Sequence, residues 1–121
     1  MYPDDRALLM VGESFNTADF YYATRFLFPD PAIFVDKGDG NTLIVCTDFE
    51  RDVAAAHSKA ARVRGFRDYG GDELRSKPRH EHLAEITLRV LRDEGITRAV
   101  TTDDIPLSVA DYVRADGIDL T

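Results

Sequence analysis

Unbroken apolar runs alternate along this chain with stretches in which apolar residues return every three to four positions. The run Ala7-Leu8-Leu9-Met10-Val11-Gly12 is closed by glycine, the pattern of a strand buried on both faces. Ala32-Ile33-Phe34-Val35-Asp36 and Thr42-Leu43-Ile44-Val45-Cys46 flank the loop Lys37-Gly38-Asp39-Gly40-Asn41. Two β-rich runs joined by such a loop predict an antiparallel hairpin. Shorter strand signals follow at Arg62–Phe66, Arg98–Thr101 and Ile118–Thr121.

The helical period fills the gaps. Asn16 or Thr17 can cap a helix running through Arg25, with Ala18, Tyr21, Tyr22 and Phe26 on one face. Pro29 and Pro31 cannot continue it and stiffen the loop that follows. Thr47-Asp48-Phe49-Glu50 matches a capping box and opens a helix to about Ala61, with Phe49, Val53, Ala56 and Ala60 expected inward. Asp68–Lys77 reads as a loop. Ser76 and Pro78 start the longest helix, about Arg79 to Glu94, with Leu83, Ile86, Val90 and Leu91 inward and Gly95 as its C-terminal cap. A last helix starts at Asp104 and Pro106, turns Leu107, Ala110 and Val113 inward, and ends at Gly117. The order predicts an α/β domain: a mixed sheet of about five or six strands, with helices on both faces.

Composition narrows the function classes. The 121 residues make a single domain, 1–121, with 44% hydrophobic and 31% charged residues, as in ordinary globular proteins. A net charge of -7 argues against nucleic acid as a partner. The charge is uneven: from Ser58 to Arg92 nine Lys or Arg stand against five Asp or Glu. Arg62, Arg64, Arg67, Arg75, Lys77 and Arg79 could form a basic patch, read here as a solvated face or a contact with an acidic neighbour. Cys46, the one cysteine, lies inside an apolar run and reads as a buried, inert thiol. A reducing cytoplasm is the expected location, and no membrane-spanning stretch or signal peptide is expected.

Candidate chemistry is sparse. His80, Glu81, His82 and Glu85 lie close in sequence, but residues two apart on a helix point in opposed directions, so a solvated first turn is expected. His57 reads as a packed or half-exposed neutral histidine at a helix edge. No Gly-x-Ser-x-Gly motif occurs. Val11-Gly12-Glu13-Ser14 has the position of a dinucleotide-binding turn but lacks its later glycines. Asp4-Asp5, Asp103-Asp104 and Asp36 lack the distal lysine that a phosphorelay receiver needs.

One stretch is more specific. Asp19-Phe20-Tyr21-Tyr22-Ala23-Thr24-Arg25-Phe26-Leu27, entered from the strand Leu8–Val11, leaves through Pro29-Asp30-Pro31 into Ile33-Phe34-Val35. It resembles the creatinase/prolidase N-terminal domain, which precedes the pita-bread catalytic domain of Xaa-Pro aminopeptidases and prolidases. Tyr22, Thr24 and Phe26 match that family's helix end, whereas Arg25 replaces its usual glycine. The resemblance implies a non-catalytic front domain that packs on its own C-terminal catalytic domain and on a second subunit of a homodimer. It also implies that the domain restricts access to an active site. There, two divalent ions (manganese, cobalt or zinc), held by carboxylates and a histidine of the domain missing from this chain, drive hydrolysis. Substrate-access or interface candidates are Arg25, Phe26, Phe28, Pro29 and Asp30, with Phe28 expected to be exposed. No catalytic or metal-ligating residue is assigned to this chain. Two alternatives are a free-standing small-molecule or nucleotide-binding domain, using the turn after Val11 and the Asp36 region, and an interaction domain of an inactive peptidase relative.

Overall fold

Six strands form one mixed sheet in the order β4-β3-β2-β1-β5-β6. They are β1 (Ala7–Gly12), β2 (Ala32–Asp36), β3 (Thr42–Cys46), β4 (Arg62–Gly65), β5 (Arg98–Thr101) and β6 (Asp119–Leu120). The helices are α1 (Ala18–Thr24), α2 (Arg51–His57), α3 (Arg79–Asp93) and α4 (Leu107–Ala115). This computed structural model describes residues 6–12, 18–28, 30–74, 76 and 79–121. The expected caps Asn16 and Thr17, the turn residues Glu13 and Ser14, Asp4 and Asp5, Pro29, Arg75, Lys77 and Pro78 lie outside them, as do the side chains of Ala18, Asp19, Arg79 and His80.

The hairpin forms as its sequence predicts, with Ile33 opposite Val45 and Asp36 opposite Thr42. A second antiparallel pair, β1 with β2, joins it, so the sheet holds one more reversal than the hairpin alone requires. β1–β5, β5–β6 and β3–β4 are parallel.

Strand alternation divides the core. Leu9, Val11, Ile33, Val35, Leu43 and Val45 face α3 and α4 and meet Ile86, Val90, Leu91, Val109 and Val113. Met10, Phe34, Ile44 and Cys46 face the other way, toward Phe20, Phe28 and Ala54. Helices thus cover both faces, as expected. α3 ends where Gly95 takes φ 70°, and the Ile96 amide donates to the Leu91 carbonyl at 2.8 Å, a left-handed cap that glycine adopts without strain.

Two short helices, α1 and α2, dock with a different face from the one their sequences predict, and α4 differs at one position, keeping Ala110 and Val113 inward. On α1 the buried residues are Phe20 and Thr24, while Tyr21 and Tyr22 are 40% and 71% exposed. Thr24 can turn inward because its hydroxyl donates to the Phe20 carbonyl at 2.9 Å, whereas a buried tyrosine hydroxyl would need a partner of its own. α2 begins at Arg51, so Phe49 lies in the preceding turn and is 97% exposed. On α2 Ala54 is the inward residue, and Val53 and Ala56 face out. The helix is also shorter than expected, ending at His57. His57 itself is exposed. On α4 Leu107 is exposed and Val109 takes its place in the core. The capping box is not made: the Thr47 hydroxyl donates to the Glu50 carboxylate at 2.9 Å, and the Glu50 amide donates to the Thr47 carbonyl. Arg62 to Gly65 is a strand, and the stretch read as loop holds two 3-10 turns, Phe66–Tyr69 and Gly71–Leu74.

Candidate functional site

The Arg25–Asp30 segment returns the chain from the end of α1 to the start of β2. Arg25 takes φ 58°, a left-handed conformation that favours glycine, and its amide donates to the Tyr21 carbonyl at 2.7 Å. Its guanidinium lies 4.5 Å from the centre of the exposed Tyr22 ring. Phe28, expected at the surface, is fully buried: its ring meets Phe20 edge-on at 5.8 Å and Phe26 at 4.6 Å. Leu27, between the two rings, is 50% exposed. Arg25 and Asp30 are exposed and Phe26 is half-buried.

A cleft lies beyond the carboxyl ends of β3 and β4. One lobe, of about 450 Å³, is lined by Thr47, Asp48, Phe49, Phe66, Arg67 and His82, among others. A second, of about 240 Å³, is bounded by Asp30, Pro31, Phe66, Leu83 and Ile86 and shares Thr47, Phe66 and His82 with the first. Among the described members of the expected set, Asp30 lines it, and Arg25, Phe26 and Phe28 do not. His82 is partly buried rather than solvated, with its ring 6.3 Å from Phe66 and its buried Nε2 lacking a hydrogen-bond partner.

The cleft walls are fixed by local hydrogen bonds. Asp48 accepts from the Arg67 amide at 3.1 Å, and Arg67 pairs with Asp72 at 3.2 Å. Gly65 makes room for this: a Cβ there would stand 2.0 Å from an Asp48 carboxylate oxygen. Burial pushes the Glu50 carboxyl up, and the charge of Asp30 adds to that push. The spacing of His80, Glu81 and His82 carries no sign of this wall position, which depends on Phe66, sixteen residues earlier in the chain.

Among the described residues no three His, Cys, Asp or Glu side chains converge to hold a metal ion. Of the expected basic patch, the three arginines whose side chains are described are paired: Arg62 with Glu94, Arg64 with Asp93 and Arg67 with Asp72. Cys46 is buried, and burial pushes its thiol up to about 12. No helix among the described residues is long and apolar enough to cross a membrane.

No protein-family model and no curated protein matches this chain. Solved structures share its fold. An Xaa-Pro aminopeptidase from Streptococcus pyogenes gives a TM-score of 0.63 at 16% identity, over 95% of this chain and 75% of that one. The prolidase from Pyrococcus horikoshii OT3 gives 0.64 at 15% identity, over 96% of this chain and 27% of that one. The X-Pro aminopeptidase from Thermotoga maritima MSB8 gives 0.67 at 13% identity, over 95% and 30%. This chain thus spans less than a third of the last two. The mixed six-stranded α/β fold is the one these peptidase structures contain.

Proposed function

We propose that this chain is the non-catalytic N-terminal domain of an Xaa-Pro aminopeptidase or prolidase-type metallopeptidase. In this reading it packs on a C-terminal catalytic domain, helps form a homodimer in the cytoplasm, and narrows the approach to an active site that binds two divalent metal ions. The observation that carries the reading is the fold match over nearly the whole of this chain but under a third of the full prolidase and X-Pro aminopeptidase chains. A contact role is supported by the surface on the α1 and α2 side of the sheet. Tyr22, Leu27, Phe49 and Val53 are all at least half exposed there, and large exposed apolar side chains mark interfaces.

A peptidase assay on the 121-residue chain, with Xaa-Pro peptides and added manganese, cobalt or zinc, tests the catalytic part. No turnover is expected; turnover that co-purifies with the chain and is lost on unfolding it would overturn the reading. Light scattering tests the association part, where a dimer is expected and a strict monomer at high concentration counts against self-association through this domain.

A further inference from the structure

We propose, independently of the peptidase reading, that Asp39 is a modification site: in the folded protein it isomerises to isoaspartate through a cyclic imide formed with Gly40. Two Asp-Gly pairs occur in the sequence, Asp39-Gly40 and Asp116-Gly117. In both, a neighbour without Cβ leaves the aspartyl side chain room to reach the next amide. Sequence alone ranks the two equally, and the fold separates them.

Asp39 stands in the loop between β2 and β3, and both it and Gly40 are exposed. Gly38, Asp39 and Gly40 take φ 93°, 55° and 79°, a left-handed path on which only the aspartate has a Cβ to strain. Among the described residues neither the Asp39 carboxyl nor the Gly40 amide has a hydrogen-bond or ion-pair partner. The loop is closed around them, by the Asn41 amide on the Gly38 carbonyl at 3.0 Å and the Lys37 amide on the Asn41 carbonyl at 2.9 Å. Cyclisation requires the Asp39 Cα–C bond to turn until the Gly40 nitrogen faces Cγ, and the flanking glycines can absorb that turn. At Asp116 both reacting groups are held. Arg92 binds the carboxylate, and the Gly117 amide donates to the Arg114 carbonyl at 3.0 Å.

The chemistry needs only water. The Gly40 nitrogen attacks the protonated Asp39 carboxyl at Cγ, a C–N bond forms, and the carboxyl hydroxyl leaves with the amide proton as water. Water then opens the imide. Attack at Cγ restores aspartate, whereas attack at the main-chain carbonyl carbon leaves the chain running through Cβ and Cγ, with a free carboxylate on Cα. The product lengthens the loop at Gly40, which walls a groove of about 640 Å³ together with Tyr22, Phe34 and Lys59, and so reshapes that groove's rim.

Incubating the 121-residue chain at neutral pH and body temperature in water enriched in heavy oxygen tests this, because each ring opening fixes a heavy oxygen in the residue. Tryptic peptides Gly38–Arg51 and Ala115–Thr121, prepared afterwards in ordinary water, carry the two pairs separately. Mass spectrometry counts the label, and chromatography separates the isoaspartyl form. In the folded chain Asp39 should take up label about tenfold faster than Asp116, the rate equivalent of the hydrogen bond and ion pair that Asp116 must first break. In urea the two rates should converge. Asp39→Glu, a change at an exposed position, demands a larger, slower-forming ring and should abolish labelling of that residue. The proposal is overturned by equal or faster labelling of Asp116 in the folded chain, by a ratio that urea leaves unchanged, or by an Asp39→Glu chain that labels as fast as the wild type. Absence of label at Asp39 in the folded chain, while the unfolded chain acquires it, overturns it equally.

Discussion

The Arg62 guanidinium grips the Glu94 carboxylate through two hydrogen bonds, of 2.7 and 3.1 Å, and so ties the edge strand β4 to the end of α3. Lys37, in the hairpin loop, joins them by donating to the Glu94 carbonyl at 2.9 Å. The Glu94 side chain is 7% exposed and Arg62 34%, which places the pair between surface and core. Removing Glu94 as Glu94→Ala should destabilise the fold by about 1–2 kcal/mol, and the Arg62→Ala, Glu94→Ala double mutant should lose less than the two singles summed. Urea unfolding of the four proteins checks this.

The same pair gives a pH dependence. The hydrogen bonds from Arg62 hold the Glu94 carboxyl below the ordinary glutamate range. A carboxyl depressed on folding contributes its stability fully above its unfolded value, and that contribution disappears as pH falls through the folded one. Glu94→Gln should therefore flatten the acid limb of a stability-against-pH curve below about pH 4.5, the ordinary glutamate value, and leave its shape near neutrality unchanged. An acid limb as steep as the wild type's would show that other carboxyls govern it.

Two phenylalanines with opposite settings give the sharpest contrast. Phe28→Ala should cost about 3–5 kcal/mol, because a fully buried ring with two edge-on aromatic neighbours leaves a cavity. Phe49→Ala should change stability by less than about 0.5 kcal/mol, since its ring is 97% exposed. Thermal unfolding of both variants measures the difference. Equal effects would contradict the docking of the Arg25–Asp30 segment described above.

Arg25 holds a left-handed backbone at φ 58°, which costs a side-chain-bearing residue about 1 kcal/mol relative to glycine. Its contact with Tyr22 returns about 0.5 kcal/mol at so exposed a site. Arg25→Gly should thus be more stable than Arg25→Ala by about 1 kcal/mol, because both lose the ring contact and Gly alone relieves the strain. Alanine and glycine variants of equal stability would remove the strain argument.

Cys46 should resist alkylation in the folded chain at pH 8. Its thiol is buried and pushed up to about 12 by burial first and then by Glu50 and Asp48, so little thiolate forms. Iodoacetamide labelling followed by mass spectrometry should proceed at the rate of unfolding, and rapid labelling of the native protein would refute the burial.

Much of the fold could be read directly from local chemistry. The runs at Ala7–Gly12, Ala32–Asp36 and Thr42–Cys46 are apolar throughout, so both sheet faces could bury them whatever their neighbours did. Gly95 and the Lys37–Asn41 loop carry turn information in their own residues. The short helices were different. α1 and α2 have seven residues each, with apolar side chains on several sides, and a rotation of one residue swaps Val53 for Ala54 or Tyr21 for Phe20. Which side turns inward is settled by the space above Ile44, Cys46 and Phe34, a property of the assembled sheet.

The sequence by itself determined where strands and turns form, because backbone conformation and alternation depend on neighbouring residues. Tertiary structure decided the antiparallel β1–β2 pair, the burial of Phe28, the rotation of α1 and α2, and the cleft. Asp30, Thr47, Phe66 and His82 are dispersed along the chain and share a wall because β3 and β4 end side by side and send their connections to opposite faces of the sheet.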